Sequence, residues 1–414
     1  MNIFKTSFYT AISQSINIIV GLLAVKILAV KIGPEGVALQ GQYLNSTTII
    51  SIFATGSITI GVIKYLAEYT NNREMQLRVI RTSIAITMAC CIVMSIVSVL
   101  LAKPLSLQAF KTSEYTSVYW LFGLFLPLTA LNGLFNAILN GIKKIPYLTI
   151  INITFSVLNL ASLIIFSHYL GIYGVLIAAN FVNFFIFIFH LFLLNKYKWF
   201  SYQSLKPTWD KDISIKLFKF SMMSVMAGFI APLAQIFVRD KLITDYGLNA
   251  AGQWQTISRI SDFYLGFITT VLSVYYLPKL SELKEISDVK KEIYSTFKLV
   301  IPVVIFLAFS IWLSRDLIIK YLLTDKFLAT RELFHFQLIG DVFKIIGWML
   351  SYILWAKAMT RKYLIIDGLS LLQYIIVCVI CINYFGVIGA TIGFCISYMI
   401  YFITMAIINR KYLV

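Results

Sequence analysis

Two short charge pairs stand inside otherwise apolar stretches. Arg259 and Asp262 lie three residues apart, and Asp341 and Lys344 repeat that spacing with the signs reversed. On a helix this spacing puts both members of a pair on one face. Charge inside hydrocarbon is costly, so it faces a partner or a hydrated cavity. Two readings fit. In one, each pair neutralises itself and holds helices in register. In the other, the cations line a cavity and meet an anionic ligand. Arg259 suits a phosphate because its planar fork donates two parallel hydrogen bonds.

Other polar residues accompany the pairs. Gln40, Thr47, Ser51, Ala54, Ser57, Gly61 and Lys64 recur in steps of three, four and seven, which trace one helical face. Lys64 also fits a side chain that snorkels to the headgroups, and so does Lys26. Asn132, Asn136, Asn140, Asn152, Asn159, Asn180 and Asn183 crowd the first half, with His190 seven residues beyond Asn183. Interhelical amide bonds explain them; a sugar-facing lining is the alternative, because hydroxyl-rich ligands need neutral donors and acceptors. His190 reads as a packing histidine rather than a proton relay. Pro127, Pro232 and Pro302 interrupt helical patterns and can bend them. Cys90, Cys91, Cys378, Cys381 and Cys395 all sit in apolar runs. Cys378-x-x-Cys381 is half a zinc site with nothing to complete it, so these cysteines read as packing and no metal or cofactor is expected.

The elements that must position these residues are membrane helices. Of the 414 residues, 59% are hydrophobic and 13% charged, with a mean hydropathy of +0.84. A soluble globule averages about 25% charged residues and could not hide so much apolar side chain. Twelve stretches are long enough to span: about 8–30, 37–64, 79–102, 116–140, 147–167, 174–194, 217–240, 251–277, 294–313, 334–356, 363–383 and 387–408. None shows the two-residue alternation of a membrane barrel. Lys5 precedes a run too long for a signal sequence, so helix 1 is expected to stay in the protein.

The formal charge of +17 is not a nucleic-acid footprint. With the N-terminus inside, 22 Lys and Arg fall in cytoplasmic connections and 9 opposite, the latter including Arg239 and Lys241. The positive-inside rule then puts both termini in the cytoplasm.

The halves look related. LGIYGVLIAA at 170–179 matches FGVIGATIGF at 385–394, laying Gly171 and Gly174 on Gly386 and Gly389 at an offset of 215, and Tyr147 falls on Tyr363 at 216. With a polar connection near 195–216, this predicts an N-terminal six-helix bundle over 1–200, a cytoplasmic linker over 201–216 and a C-terminal bundle over 217–414. Six is even, so both halves enter from the same side, a parallel 6+6 repeat with a site expected between them. No Walker A, GxSxG or HExxH motif occurs, and no polar domain is present to hold one.

Several segments together resemble the lipid-linked oligosaccharide flippases of the polysaccharide transporter family, within the multidrug/oligosaccharidyl-lipid/polysaccharide exporter superfamily. They are ILAVKIGPEGVAL at 27–39, VIKYLAEY at 62–69, LKPTWD at 205–210, WQTISRISDFYLGFIT at 254–269, SVYYLPKLSEL at 273–283, SRDLIIKYLLTDKF at 314–327 and QLIGDVFKI at 337–345. The similarity is greatest to the branch that handles O-antigen units and enterobacterial common antigen lipid. It implies an all-α membrane protein of twelve transmembrane helices in two parallel six-helix bundles around a cationic cavity. It also implies a non-enzymatic flippase for an undecaprenyl-pyrophosphate-linked glycan, working by alternating access.

Ser258, Asp262, Asp341, Lys344 and Lys64 lie in matched segments. Related members often carry a basic residue early in helix 2, where this chain has Gln42, Tyr43, Leu44 and Asn45; Arg259 is then expected to supply that cation. Asn45 and Asn183 complete the expected substrate-binding set. Expected partners are the lipid-linked glycan, membrane lipid, a proton or other coupling ion and polysaccharide-assembly membrane proteins. The rival readings are a cation-coupled small-molecule exporter of the same superfamily, which would favour acidic residues, and a membrane glycosyltransferase or polymerase, which would need a larger extramembrane domain.

Overall fold

The structure is a computed structural model that describes residues 3–196, 206–283, 285–357 and 359–413. Among these residues there is no strand. The helices run in the order α1 (Ile3–Lys31), α2 (Gly33–Ala54), α3 (Thr59–Glu68), α4 (Arg73–Leu100), α5 (Ala102–Phe110), α6 (Thr116–Gly141), α7 (Ile145–Lys196) and α8 (Lys211–Phe218). They continue with α9 (Ser221–Val271), α10 (Leu277–Glu282), α11 (Ile286–Leu313), α12 (Arg315–Leu317), α13 (Thr330–Ala356), α14 (Thr360–Phe385) and α15 (Gly389–Ile408).

Seven of the described helical stretches are long and apolar enough to cross a membrane, or eight if α2 and α3 count as one bent span. The protein is therefore a multi-pass, all-helical membrane protein. Bulky apolar side chains point outward where a soluble protein would place charge. On α11, Leu299, Val303, Phe306 and Phe309 form an exposed stripe at helical spacing, as lipid-facing residues do.

Two long elements break at glycine. At 1.5 Å per residue the 52 residues of α7 would reach about 78 Å, far beyond a hydrocarbon core of about 30 Å. The element turns instead at Gly171, with φ 56° and ψ −132°. Gly247 breaks α9 in the same way, with φ 83°. Only glycine enters this region of φ without a Cβ clash.

The repeat seen in the sequence recurs as backbone geometry. Gly386, between α14 and α15, has φ 67° and ψ −145°, nearly the conformation of Gly171. A Cβ on Gly174 would meet the carbonyl oxygen of Phe166 at 2.0 Å, and one on Gly389 would meet that of Cys381 at 2.1 Å. Phe166 and Cys381 are themselves 215 residues apart. A further pair was not read from the sequence: Gly33, between α1 and α2, has φ 65° and stands 214 residues before Gly247.

Contacts divide the chain into two compact units. Unit 1 comprises Met1–Val20 and Leu39–Leu233; unit 2 comprises Gly21–Ala38 and Ala234–Val414. The core of unit 1 joins Val62 and Leu66 of α3, Val79 and Ile80 of α4, Leu134 and Ile138 of α6, and Ile213 and Leu217 of α8. The core of unit 2 joins Leu265 and Ile268 of α9, Leu280 of α10, Ile293 of α11, Ile345 and Met349 of α13, and Tyr401 and Met405 of α15.

Two expectations change. The polar stripe on helix 2 does not lie on one face. Gly56 and Ser57 adopt φ 67° and 56°, and the span bends by 48° between α2 and α3. The connection expected over 201–216 is partly helical: Asp210 caps α8 by accepting a hydrogen bond from the Ile213 N–H at 3.1 Å, and α8 buries Ile213 and Leu217. Residues 197–205 of that connection lie outside the described residues. The turn of α9 at Gly247 falls in the connection expected between 240 and 251, and Pro232 lies inside the helix before it.

Candidate functional site

Of the charged residues singled out above, Lys344 and Asp262 pair, and they do so across helices. The second half of α9 carries Ser258, Arg259, Ser261, Asp262 and Tyr264, and α13 carries Gln337, Asp341 and Lys344. Lys344 donates to Asp262 Oδ1 at 3.5 Å, and its side chain is 10% exposed against 55% for Asp262. Asp341 forms no ion pair among the described residues. It accepts instead from the Tyr264 hydroxyl at 2.7 Å and from the Gln337 amide at 3.4 Å. The intrahelical pairing of Asp341 with Lys344 is therefore corrected. A lysine side chain is long enough to swing from its own helix to the next, and the more hydrated Asp262 is the cheaper partner for a buried cation.

Aromatic rings complete the setting of Lys344. Its ammonium lies 4.9 Å from the ring centroid of Trp348, 5.7 Å from Phe394 and 5.6 Å from Tyr398. Ring faces attract a cation electrostatically. They help to hold a charge in low dielectric without neutralising it, so the ammonium keeps its attraction for an anion.

Arg259 is half-buried and makes neither ion pair nor hydrogen bond among the described residues; the charges it senses are Asp262 on its own helix and Arg239. Arg239 was missed as an interior residue. Counted as an external connection, it is 0% exposed in α9. Its guanidinium donates to Gln255 Oε1 at 3.0 Å and lies 5.7 Å from the Trp254 ring. A signal was available: no glycine or proline falls between Pro232 and Gly247, so the helix had to continue through Arg239. Ser258 is half-buried beside Arg259 on α9. Unit 2 thus brings Arg239, Arg259 and Lys344 into one set of packed helices.

The remaining candidates belong to unit 1. Lys64 is exposed on α3, 3.9 Å from Glu68, with its ammonium over the rings of Tyr65 and Phe220. Asn45 is half-buried on α2. Asn183 takes part in an amide network between α6 and α7. Asn132 donates to the Asn183 carbonyl at 2.8 Å and its side-chain oxygen at 3.2 Å. The buried His190 ring faces Asn132 at 3.1 Å and Asn136 at 3.3 Å. These are the interhelical amide bonds expected of such asparagines.

Cys378 and Cys381 are buried on α14, and Gly393 of α15 packs directly on the backbone of Cys378. No cluster able to hold a metal occurs among the described residues.

Near the start of α4, Arg78 donates to Asp210 Oδ2 at 2.8 Å from Nε. The Ile213 N–H and the Arg78 guanidinium hold the Asp210 carboxyl below the usual carboxylate range. Lys216 is raised by its 3.0 Å hydrogen bond to the Tyr69 hydroxyl. These contacts tie α8 to α4 and to the end of α3.

Residues 3–284 match the family described as "Polysaccharide biosynthesis protein". The chain belongs to this family. Across 403 residues it is 33% identical to the Lipid III flippase of Escherichia coli (strain K12), covering 97% of each chain. It is 21% identical to a putative O-antigen transporter of Shigella flexneri, over 96% of this chain and 95% of that one. The family expected from the sequence is the one found. Among solved structures, an inward-facing multidrug resistance MATE family transporter of the MOP superfamily has the same fold. Its TM-score is 0.83 at 16% identity, with coverage of 97% and 98%. A MOP superfamily transporter from Pyrococcus furiosus matches with a TM-score of 0.75 at 15% identity, with coverage of 100% and 96%.

Proposed function

We propose that this family member is a flippase that moves an undecaprenyl-pyrophosphate-linked oligosaccharide from the cytoplasmic to the periplasmic leaflet of a bacterial inner membrane. The observation that carries this reading is the match, over 97% of both chains, to a Lipid III flippase at 33% identity. The candidate chemistry agrees with it. Lys344, Arg259 and Arg239 supply cations within unit 2, Asp262 and Asp341 balance them, and Ser258 adds a neutral donor. In unit 1, Lys64, Asn45 and Asn183 are the proposed contacts for headgroup and sugar.

In this reading twelve helices form two parallel six-helix bundles, over 1–200 and 217–414, joined by a cytoplasmic connection over 201–216. The glycine turns repeated at an offset of 214 to 215 support that arrangement. Both termini face the cytoplasm. The bundles rock to give alternating access, the polyprenyl tail stays in lipid, and cations offset the cost of taking pyrophosphate out of water. No covalent step is required, so the protein acts as a transporter rather than an enzyme. A proton or other ion supplies the drive, and assembly proteins of the same membrane receive the product.

Deleting the gene and analysing polyprenyl lipids tests this. A cytoplasm-facing undecaprenyl-linked glycan should accumulate, and its sugars distinguish enterobacterial common antigen from O-antigen. An unchanged lipid pool in a strain lacking other flippases would reject the reading.

A further inference from the structure

Asp341 is the most thoroughly buried acid in the described chain, at 0% exposure, within a membrane-spanning helix. No Lys or Arg nitrogen among the described residues lies within 4.0 Å of it, because Lys344 turns to Asp262. An ionised carboxylate in such a place loses several kcal/mol of hydration. Three uncharged donors oppose that loss, the Tyr264 hydroxyl at 2.7 Å, the Gln337 amide at 3.4 Å and the Ser261 hydroxyl. The carboxyl is therefore caught between burial, which favours the acid, and the nearby Lys344 charge with these hydrogen bonds, which favour the anion.

Gln337 is matched to both states. It is 1% exposed, and its Oε1 meets no donor among the described residues. While Asp341 is ionised, Gln337 presents its NH2 to Oδ1 and its own oxygen goes unsatisfied. When Asp341 gains a proton, a half-turn of the amide brings Oε1 to accept it. The Tyr264 hydroxyl keeps donating to Oδ2 in both states. The half-turn exchanges a lone buried amide oxygen for a lone NH2, each costing about 1–3 kcal/mol, so Gln337 serves both states at similar cost.

We infer that Asp341, with Gln337 and Tyr264, forms a proton-binding site in unit 2 that takes up and releases one proton in the transport cycle. The step is H+ plus the Asp341 carboxylate giving the neutral acid, with no other bond made or broken. The groups facing it are Asp262, Ser261 and Tyr264 from α9, Gln337 and Lys344 from α13, and Cys395 and Tyr398 from α15. Tyr374 and Asp367 of α14 stand beyond, around Tyr398. Asp262, 55% exposed and bridged to Lys344, is the group nearest to water on this path. Loading Asp341 leaves Lys344 with one fewer anion in reach. The proton state thus sets how strongly Lys344 attracts another anion, which links this site to the phosphate-binding reading above.

Infrared difference spectroscopy of the full chain in lipid, titrated with acid, tests the inference without any glycan substrate, so its failure would leave the flippase reading standing. A protonated-carboxyl band should appear on acidification in the native protein and in Asp262→Asn, and be missing in Asp341→Asn. Tyr264→Phe removes a donor to the anion and should move the midpoint of that band up by about one to two pH units. This second variant retains the acid and keeps the test open if Asp341→Asn folds poorly. A band that survives Asp341→Asn, or a midpoint unmoved in Tyr264→Phe, would overturn the assignment. Loss of the band on adding Na+ at constant pH would do so too, because it would show a metal cation at the carboxylate.

Discussion

Replacing the two members of the Lys344–Asp262 bridge should have unequal effects. The side chain of Lys344 is 10% exposed and that of Asp262 is 55% exposed, so the pair is buried at one end only. Breaking a fully buried pair costs about 3–5 kcal/mol, whereas exposed pairs are worth about 0–1 kcal/mol because water screens them. Asp262→Asn leaves a buried ammonium with three ring faces, each contributing about 0.5–1 kcal/mol. Its expected cost, discounted for the wet end, is about 1–2 kcal/mol. Lys344→Met removes the buried charge, keeps most of the stem packing and lets Asp262 rehydrate, so about 0–1 kcal/mol is expected. The double variant should resemble Lys344→Met, giving a coupling in the mutant cycle of about 1 kcal/mol. Unfolding of purified protein, followed by tryptophan fluorescence with Trp348 as a local reporter, measures all four corners. Transport should fail in the double variant at normal abundance, because the anion has lost its cation. A Lys344→Met protein less stable than Asp262→Asn would refute the asymmetry. Full transport by the double variant would return the bridge to a purely structural role.

Other consequences are open to measurement. Gly174→Ala and Gly389→Ala drive a Cβ into backbone carbonyls and should abolish membrane accumulation. Gly171→Ala, whose Cβ meets no neighbouring atom within 4 Å, should cost only the strain of its positive-φ backbone, about 1–3 kcal/mol, and still accumulate. Asp210→Ala removes both the cap of α8 and the partner of Arg78, so hydrogen exchange over Lys211–Phe218 should quicken more than in Arg78→Ala. The Asp210 carboxyl is held below its unfolded value, so its contribution is present above the usual carboxylate range and is lost as pH falls through the depressed value; α8 should loosen only in that acid window. Single cysteines near 73 and 285 should resist a membrane-impermeant thiol reagent in intact cells, and those near 108, 245 and 325 should react, in a background without native cysteines. Reaction at 285 from outside would reverse the topology.

The fold was largely legible because hydrophobic length and glycine turns are local signals. The turns at Gly171 and Gly386 stood in the sequence as matching Gly-x-x-Gly pairs, and the steric reason appears in the carbonyls each second glycine meets. The break at Gly56 and Ser57 was not legible. Ser57 is a non-glycine residue in a left-handed conformation, which a smooth run of apolar and small residues does not announce. Charge positions were legible and charge partners were not. Spacing fixes which residues share a helix face, but Lys344 reaches its partner through a flexible stem onto a different helix. Arg239 was misplaced for a related reason. It stands at the expected end of a span, at 240, and was counted with the connection beyond, whereas the helix runs on to Gly247.

The central claim is that this chain moves a polyprenyl-pyrophosphoryl glycan between leaflets without altering it. The direct measurement reconstitutes the purified protein in vesicles with a radiolabelled undecaprenyl-pyrophosphoryl glycan in the inner leaflet. A membrane-impermeant glycosidase outside then reports how fast the headgroup becomes accessible. Accessibility should rise with protein, fall back to the protein-free rate in the Asp262→Asn/Lys344→Met double variant, and leave the recovered lipid chemically unchanged. A lipid that stays protected at every protein concentration, or one that emerges with its glycan transferred or extended, would contradict the account.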